Sequence, residues 1–305
     1  MNRLALAALA IVAAVLAAHQ FFIGLPNREE LGPRETAVRF KPVSLDPAGF
    51  LPLRLAGAWE IESDDPRVGG ISDLAVDGGS LVALSDKSVI IRFAKPNRGV
   101  ERATVRELPG GPGNPRFKIN RDSEAILRDP SGRGWWVAFE NRNELWLYDP
   151  AFTRAVRRMA IPASDFDDNE GVEGMAGDVG SLLLFPESGG QLIRFSAKGV
   201  GVAPIADSGT YVSDAASLPD GRILLVERSL GPLGFSIDLA LLEQGRNGFA
   251  LGERIPIGVG RLDNVEALAA ERLSDGTIRL WMATDDNFHR PLRTLLVAAD
   301  FPPRN

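Results

Sequence analysis

A carboxylate that opens an apolar strand, answered by a second carboxylate at the close of the next strand, recurs along the chain after residue 70. The opening positions read Asp73-Leu-Ala, Glu124-Ala-Ile, Glu173-Gly-Met, Asp214-Ala-Ala and Glu266-Ala-Leu. The closing positions read Ser85-Asp86, Phe139-Glu140, Pro186-Glu187, Val226-Glu227 and Thr284-Asp285. Copies lie about 40 to 50 residues apart, the length of one propeller blade. A unit of this size cannot bury its own apolar face, so the copies must stack. The expectation is an all-β β-propeller of four-stranded antiparallel blades, with five modules visible and room for a sixth in the longer connections.

The second copy shows the grammar of one module. Ser123-Glu-Ala-Ile-Leu127 reads as a strand, Asp129-Pro-Ser-Gly-Arg-Gly134 as a turn, Trp135-Trp-Val-Ala-Phe139 and Glu144-Leu-Trp-Leu-Tyr148 as strands, and Arg154 to Ile161 as the fourth. In the last copy two strands precede the final residues, leaving an outer strand to be supplied from elsewhere. Leu53 to Ile61 can supply it, which closes the ring with both ends of the chain in one blade.

The 305 residues, 45% of them hydrophobic, are enough for one large all-β domain, expected from residue 53 to 305. A formal net charge of -6 excludes a basic surface for nucleic acid. Cysteine is absent, which removes disulfides, thiol nucleophiles and thiolate zinc sites together. From Leu4 to Ala18 the chain is almost entirely Ala, Leu, Val and Ile, and Phe21 to Leu25 extends the apolar run. Residues 1–25 read as an N-terminal apolar helix, either a signal peptide or an uncleaved membrane anchor, which places the domain in the periplasm or outside the cell. That segment is the only expected membrane contact. Residues 26–52 read as a polar, proline-bearing linker in which Ala37 to Leu45 has the pattern of a short strand.

The first strand of each propeller blade lines the central channel, so the opening carboxylates should gather at one channel mouth. Ionised carboxylates packed around a channel repel one another, and a hard cation with oxygen ligands offsets that repulsion. Calcium suits many Asp and Glu with almost no His, and the candidate ligands are Asp73, Glu124, Glu173, Asp214, Glu266 and Asp285. The alternative for such a column is structural, each acid bonding to backbone N–H groups of a neighbouring turn. Three segments break the repeat: Lys118-Ile-Asn-Arg121-Asp122, the oxygen-rich Asp165 to Glu173, and Asp285-Asp286-Asn287-Phe288-His289-Arg290.

Several of these segments resemble the family named for the esterase-like activity of phytase. The resemblance rests on Gly69-Gly-Ile-Ser-Asp73-Leu, Arg121-Asp-Ser-Glu124-Ala-Ile, Glu170-Gly-Val-Glu173-Gly-Met and, most specifically, Asn264-Val-Glu266-Ala-Leu with Asp285-Asp-Asn-Phe288 and Arg293-Thr-Leu-Leu296. It covers the chain from about Leu53 onward and implies an exported bacterial β-propeller, related in architecture to calcium-dependent phytases. The chain departs from the pattern at Ser85-Asp-Lys87-Ser88 and at Asp214-Ala-Ala.

No G-x-S-x-G elbow is present, and a Ser-His-Asp triad built on Ser72, Ser123 or Ser213 would have to use His289. A metal-assisted, phosphatase-like site fits the residue types better, with Glu173 and Asp286 as the catalytic acids. Lys87, Arg121, Arg142, Arg228, His289 and Arg290 are the candidates for binding a small ester or phosphate substrate. A non-catalytic propeller that binds a ligand or protein at the cell envelope is the alternative from another class. A lactonase-like channel with one divalent ion on Glu, Asn and Asp is a third.

Overall fold

The structure, a computed structural model, describes residues 30–301 apart from 97–98, 163–170, 179, 209–210, 233, 246–247, 261–262 and 290. The apolar leader and the acidic stretch 165–170 therefore lie outside the described residues. Among those described, no helix is long and apolar enough to cross a membrane.

Two strands, β1 (Arg34–Pro42) and β2 (Arg54–Ser63), precede a series of antiparallel meanders. The first meander is β3 (Ile71–Asp77), β4 (Ser80–Ser85), β5 (Val89–Ala94) and β6 (Val100–Glu107), and the second is β7 (Ser123–Arg128), β8 (Trp135–Phe139), β9 (Glu144–Tyr148) and β10 (Ala155–Ala160). Next come β11 (Val172–Asp178), β12 (Ser181–Pro186), β13 (Gln191–Ser196) and β14 (Gly199–Ala206), then β15 (Tyr211–Ser217), β16 (Ile223–Gly231), β17 (Gly234–Gly245) and β18 (Gly248–Pro256). The last is β19 (Asn264–Arg272), β20 (Ile278–Asp285) and β21 (Leu295–Asp300).

Burial explains the strand sequences. The second strand of a meander is covered on both faces, so β8 (Trp-Trp-Val-Ala-Phe) is buried at every residue. Outer strands face solvent on one side, and β6 alternates accordingly. The inner strands touch one another in order, β3 to β7, β7 to β11, β11 to β15, β15 to β19 and β19 back to β3. The meanders are thus arranged around one axis, with apolar side chains packed between adjacent sheets.

Closure follows the route expected from sequence. β2 pairs with β21 from Arg54↔Asp300 to Glu60↔Leu295, and Trp59 stacks on Trp281 with ring centroids 6.3 Å apart. The supposed linker is a structural part instead, because β1 pairs antiparallel with both β2 and β6. Its alternation sends Val38 and Phe40 into the core, which is what a strand between two sheets requires.

Each inner strand carries a bulge at its start. The register slips between Ile71 and Asp73, Ser123 and Ala125, Val172 and Gly174, Val212 and Asp214, and Val265 and Ala267. The bulged residues are therefore Ser72, Glu124, Glu173, Ser213 and Glu266, while Asp73 and Asp214 stand one place further on, level with Ala125, Gly174 and Ala267. The single column expected from sequence is two tiers. At Gly174 the neighbouring inner strand comes so close that a Cβ would meet Ala215 N at 2.5 Å.

Asp73 and Asp214 tie the inner strands together. Asp73 accepts from Leu74 N and from Ile126 N of β7, both at 2.5 Å. Asp214 accepts from Ala215 N at 2.6 Å and from Leu268 N of β19. The two carboxyl groups also hydrogen-bond to each other across the channel. Burial pushes both well above the usual carboxylate range. Backbone donors meet both oxygens of each carboxyl group, which gives Asp73 and Asp214 the structural role in place of the expected one as metal ligands.

A raised pKa in the folded state gives stability that is complete below the unfolded value near 4 and is lost as pH rises, by about 1.4 kcal/mol per pH unit for each proton taken up on folding. Asp214→Asn needs no proton to donate to Asp73, but it leaves one backbone N–H facing an amide, a cost of about 1–3 kcal/mol. In denaturant titrations with chelator, Asp214→Asn should be less stable than wild type at pH 5, and the gap should narrow toward pH 9. A gap that does not change with pH would exclude a proton held between the two carboxyl groups.

Candidate functional site

The bulges turn the inner-strand side chains at positions 124, 173 and 266 toward one end of the channel, where the strand-closing acids meet them. The backbone fixes those acids in the same way in successive meanders: Asp86 N donates to Gly70 O, Glu140 N to Asp122 O, and Glu187 N to Gly171 O, at 2.9, 3.0 and 3.0 Å. Register identifies the equivalent positions. Ile71 pairs with Ser85, Ser123 with Phe139, Val172 with Pro186, Val212 with Glu227 and Val265 with Thr284. The next residue in each case is Asp86, Glu140, Glu187, Arg228 and Asp285. Arg228, not Glu227, occupies the fourth place of this tier, and Glu227 is held by Arg254, with Nε to Oε2 at 2.9 Å.

Arg228 is one of two cations that cross-link the acids. It reaches Glu187 at 2.7 Å and Glu266 with its other terminal nitrogen. Lys118, on a one-turn helix (Lys118–Arg121), reaches Asp86 at 3.0 Å and Asp122 at 2.8 Å. Asn141 Nδ2 bridges Asp122 and Glu140 at 3.2 and 3.1 Å. Carboxylate oxygens of Asp122, Glu124 and Glu140 lie within 4.8 Å of one another, as do those of Glu140, Glu173 and Glu187. Glu140 is common to both groups.

The charge is not balanced. Among the described residues, Asp86, Asp122, Glu124, Glu140, Glu173, Glu187, Glu266 and Asp285 share this mouth with Lys87, Lys118 and Arg228. Burial, then Asp122 and Glu173, push Glu124 well above its usual range. Burial, then Glu187, Glu266 and Glu140, do the same to Glu173. Glu140 is pushed up to about 7 by burial and by Asp122 and Glu187. Asp285 is pushed up to about 9 by burial and by Glu266 and Asp86. Burial works to lower Lys118 and Arg228, but the surrounding acids hold both above their usual values. Buried like charges are relieved by protons or by a cation. The donors are all hard oxygens, the set that calcium takes, so the residues fit such an ion.

The rim is made by the turn after β20. Asn287 and Phe288 both have left-handed backbone, φ 46° and 53°. This lays the Phe288 ring against Gly70, where a Cβ would meet it at 2.2 Å. Lys87 Nζ sits 3.2 Å from the ring centroid, and burial lowers its pKa. Asp286, expected to be catalytic, accepts from Gly70 N at 2.9 Å and Phe288 N at 3.0 Å through one oxygen, and so secures this turn.

Of the residues singled out from sequence, the structure brings together Glu124, Glu173, Glu266, Asp285, Arg228 and Lys87. Arg121 is corrected to a loop anchor: it is buried, its guanidinium donates to Gly110 O, and it packs against Gly111. Arg142 is exposed and donates to Asn120 Oδ1 at 2.9 Å. His289 is exposed on the turn, while Ser123 and Ser213 donate to Ser85 O and Val265 O, at 2.8 and 2.9 Å. Arg290 lies outside the described residues. Lys118, Asp122, Glu140 and Glu187 were not among the expected site residues, although the strand-closing repeat already marked the two glutamates.

Among solved structures, the chain is similar to glutaminyl cyclase from Myxococcus xanthus, with a TM-score of 0.52 and 11% identity over 82% of this chain and 97% of that one. Identity this low shows the fold alone. The WD40 domain of Neurospora crassa Pan2 is similar at a TM-score of 0.42 and 9% identity, covering 79% of this chain and 92% of that one. No curated protein sequence matches the chain. The family profile described as Phytase-like, esterase-like activity of phytase, matches residues 66–288, from before the Gly69-Gly70 turn to the Phe288 rim. The match takes in well over half of the chain and the whole acidic mouth, and the protein therefore belongs to the Phytase-like family.

Proposed function

We propose that the protein is an exported, calcium-dependent hydrolase of phosphate or other esters, built on a five-bladed propeller with its site at the channel mouth around Glu140. The blade count follows the ring of inner-strand contacts, with β2 completing the last blade. One observation carries the functional reading: among the described residues, eight carboxylates meet three cations at a single mouth, which favours added positive charge.

Lys118 and Arg228 are each spent on two carboxylates, and Lys87 lies over Phe288. A phosphate would meet net negative charge unless an ion held by Asp122, Glu124, Glu140, Glu173 and Glu187 came first. A calcium ion there supplies Lewis acidity toward a phosphoryl or carbonyl oxygen. Glu173 is the proton acceptor for the attacking water. Burial and the acids Glu187, Glu266 and Glu140 disfavour its ionised form, Arg228 favours it, and a cation bound beside it would favour it further. Asp286 holds the rim in place.

The same charge imbalance favours a second reading, a non-catalytic propeller that captures an amine-bearing ligand or protein segment at this mouth. The two readings part on turnover. In a panel of phosphate, carboxyl-ester and lactone substrates, at least one should be hydrolysed in calcium and not in chelator under the first reading, and all should be left intact under the second.

Chelation should lower the melting temperature and calcium should restore it, because an ion that binds only the folded state stabilises it by mass action. Identical melting curves in chelator and in excess calcium would remove the metal from the proposal. Glu173→Gln should melt no lower than wild type in chelator, since it removes a carboxyl whose ionised form burial and three neighbouring acids disfavour. Hydrolysis per folded molecule should fall on the order of 100-fold. Unchanged activity would exclude Glu173 as the base.

The apolar run from Leu4 to Ala18 supports export or anchoring. Fractionation of cells should recover the domain in the periplasm or with the inner membrane. Full-length protein in the soluble cytoplasm would exclude both destinations.

A further inference from the structure

Asn264 begins β19 and pairs directly with Asp285, the last residue of β20. Its side chain is 4% exposed, and its Nδ2 donates to Glu266 Oε1. Its carbonyl, Oδ1, is buried and meets no donor among the described residues. A buried amide oxygen without a donor costs about 1–3 kcal/mol, and natural sites carry such a cost where a ligand meets the atom. Leu or Val at 264 would have avoided it.

Two carboxylates flank this side chain: Glu266, which accepts from Asn264 Nδ2, and Asp285, which pairs with Asn264 across the β19–β20 ladder. Asp86 faces both. Arg228 lies on the other side of Glu266, turned to Glu187.

We propose that Asn264 Oδ1, Glu266 and Asp285 form a second cation position at the channel mouth, for a divalent ion with oxygen ligands, separate from the one around Glu140. The proposal rests on the metal-dependent reading above. A neutral carbonyl beside two carboxylates is a hard-oxygen set that calcium accepts. The ion's service to the first position is electrostatic: it neutralises Glu266, which otherwise adds to the field on Glu173. Asn264 and Asp285 are positioning residues in that sense.

Calcium titrated into the full chain by calorimetry counts the ions directly. Wild type should bind two. Asn264→Ala should lose one, or weaken it at least tenfold, as even outer-shell changes weaken metal sites by 10–100-fold. Asn264→Asp keeps an oxygen at the same point and should retain both ions. Glu140→Gln should lose the other ion and keep the one at Asn264. Asp285→Asn reads the same position if Asn264→Ala fails to fold, and should also bind one ion. Two ions of unchanged affinity in Asn264→Ala or in Asp285→Asn would overturn the second position. A single ion in wild type, lost in Glu140→Gln and kept in Asn264→Ala, would overturn it and leave the proposed function standing. No calcium bound to wild type would overturn both.

Discussion

The one-residue bulge at the start of every inner strand is the constraint on which the rest of this structure depends. A strand sends successive side chains to opposite faces, so an extra residue decides which side chain enters the channel and at what height. Here it lifts Glu124, Glu173 and Glu266 to the mouth and leaves Asp73 and Asp214 one level lower. Carboxylates of the same chemical type thereby acquire different work. The upper ones face each other and a few cations, while the lower pair spends its oxygens on backbone N–H groups of the adjoining strands.

That separation accounts for the electrostatics. The lower pair is satisfied within the protein, by four backbone donors and the hydrogen bond between its two members. The upper groups have fewer internal partners than charges. Arg228 shows how closely the imbalance is tuned: it occupies a place that is acidic in the other meanders, and it binds an acid on either side. Were that position acidic as well, one carboxylate would be added and the cation joining Glu187 to Glu266 would be lost.

Much of this was legible in the amino-acid sequence. Turn residues between apolar runs marked the meanders, and the short final module implied a strand borrowed from Leu53 to Ile61, which β2 supplies. What could not be read was the tier. Asp73-Leu-Ala and Glu124-Ala-Ile align by charge type, yet the bulge register places them one residue apart, and a slip of one reverses the face of a strand. The same slip concealed Arg228 behind Glu227. Arg121 was misread for another reason: an arginine beside an acid suggests anion binding, but the Gly110–Gly111 loop folds over this one, a contact between segments that spacing does not reveal. Glu140 and Glu187 were visible as a repeat, but only their convergence with Glu173 in space marks them as a group.

The seam of the ring carries a consequence for the order of events in the cell. β2 finds its partner in β21, about 240 residues later, and β1 bridges the first and last meanders into one sheet. Contacts so distant in sequence are slow to form, and during synthesis they wait for the end of the chain. Until β21 has emerged this seam cannot form, and the partly made protein lacks the sheet that joins its first and last meanders, even where β19 already meets β3.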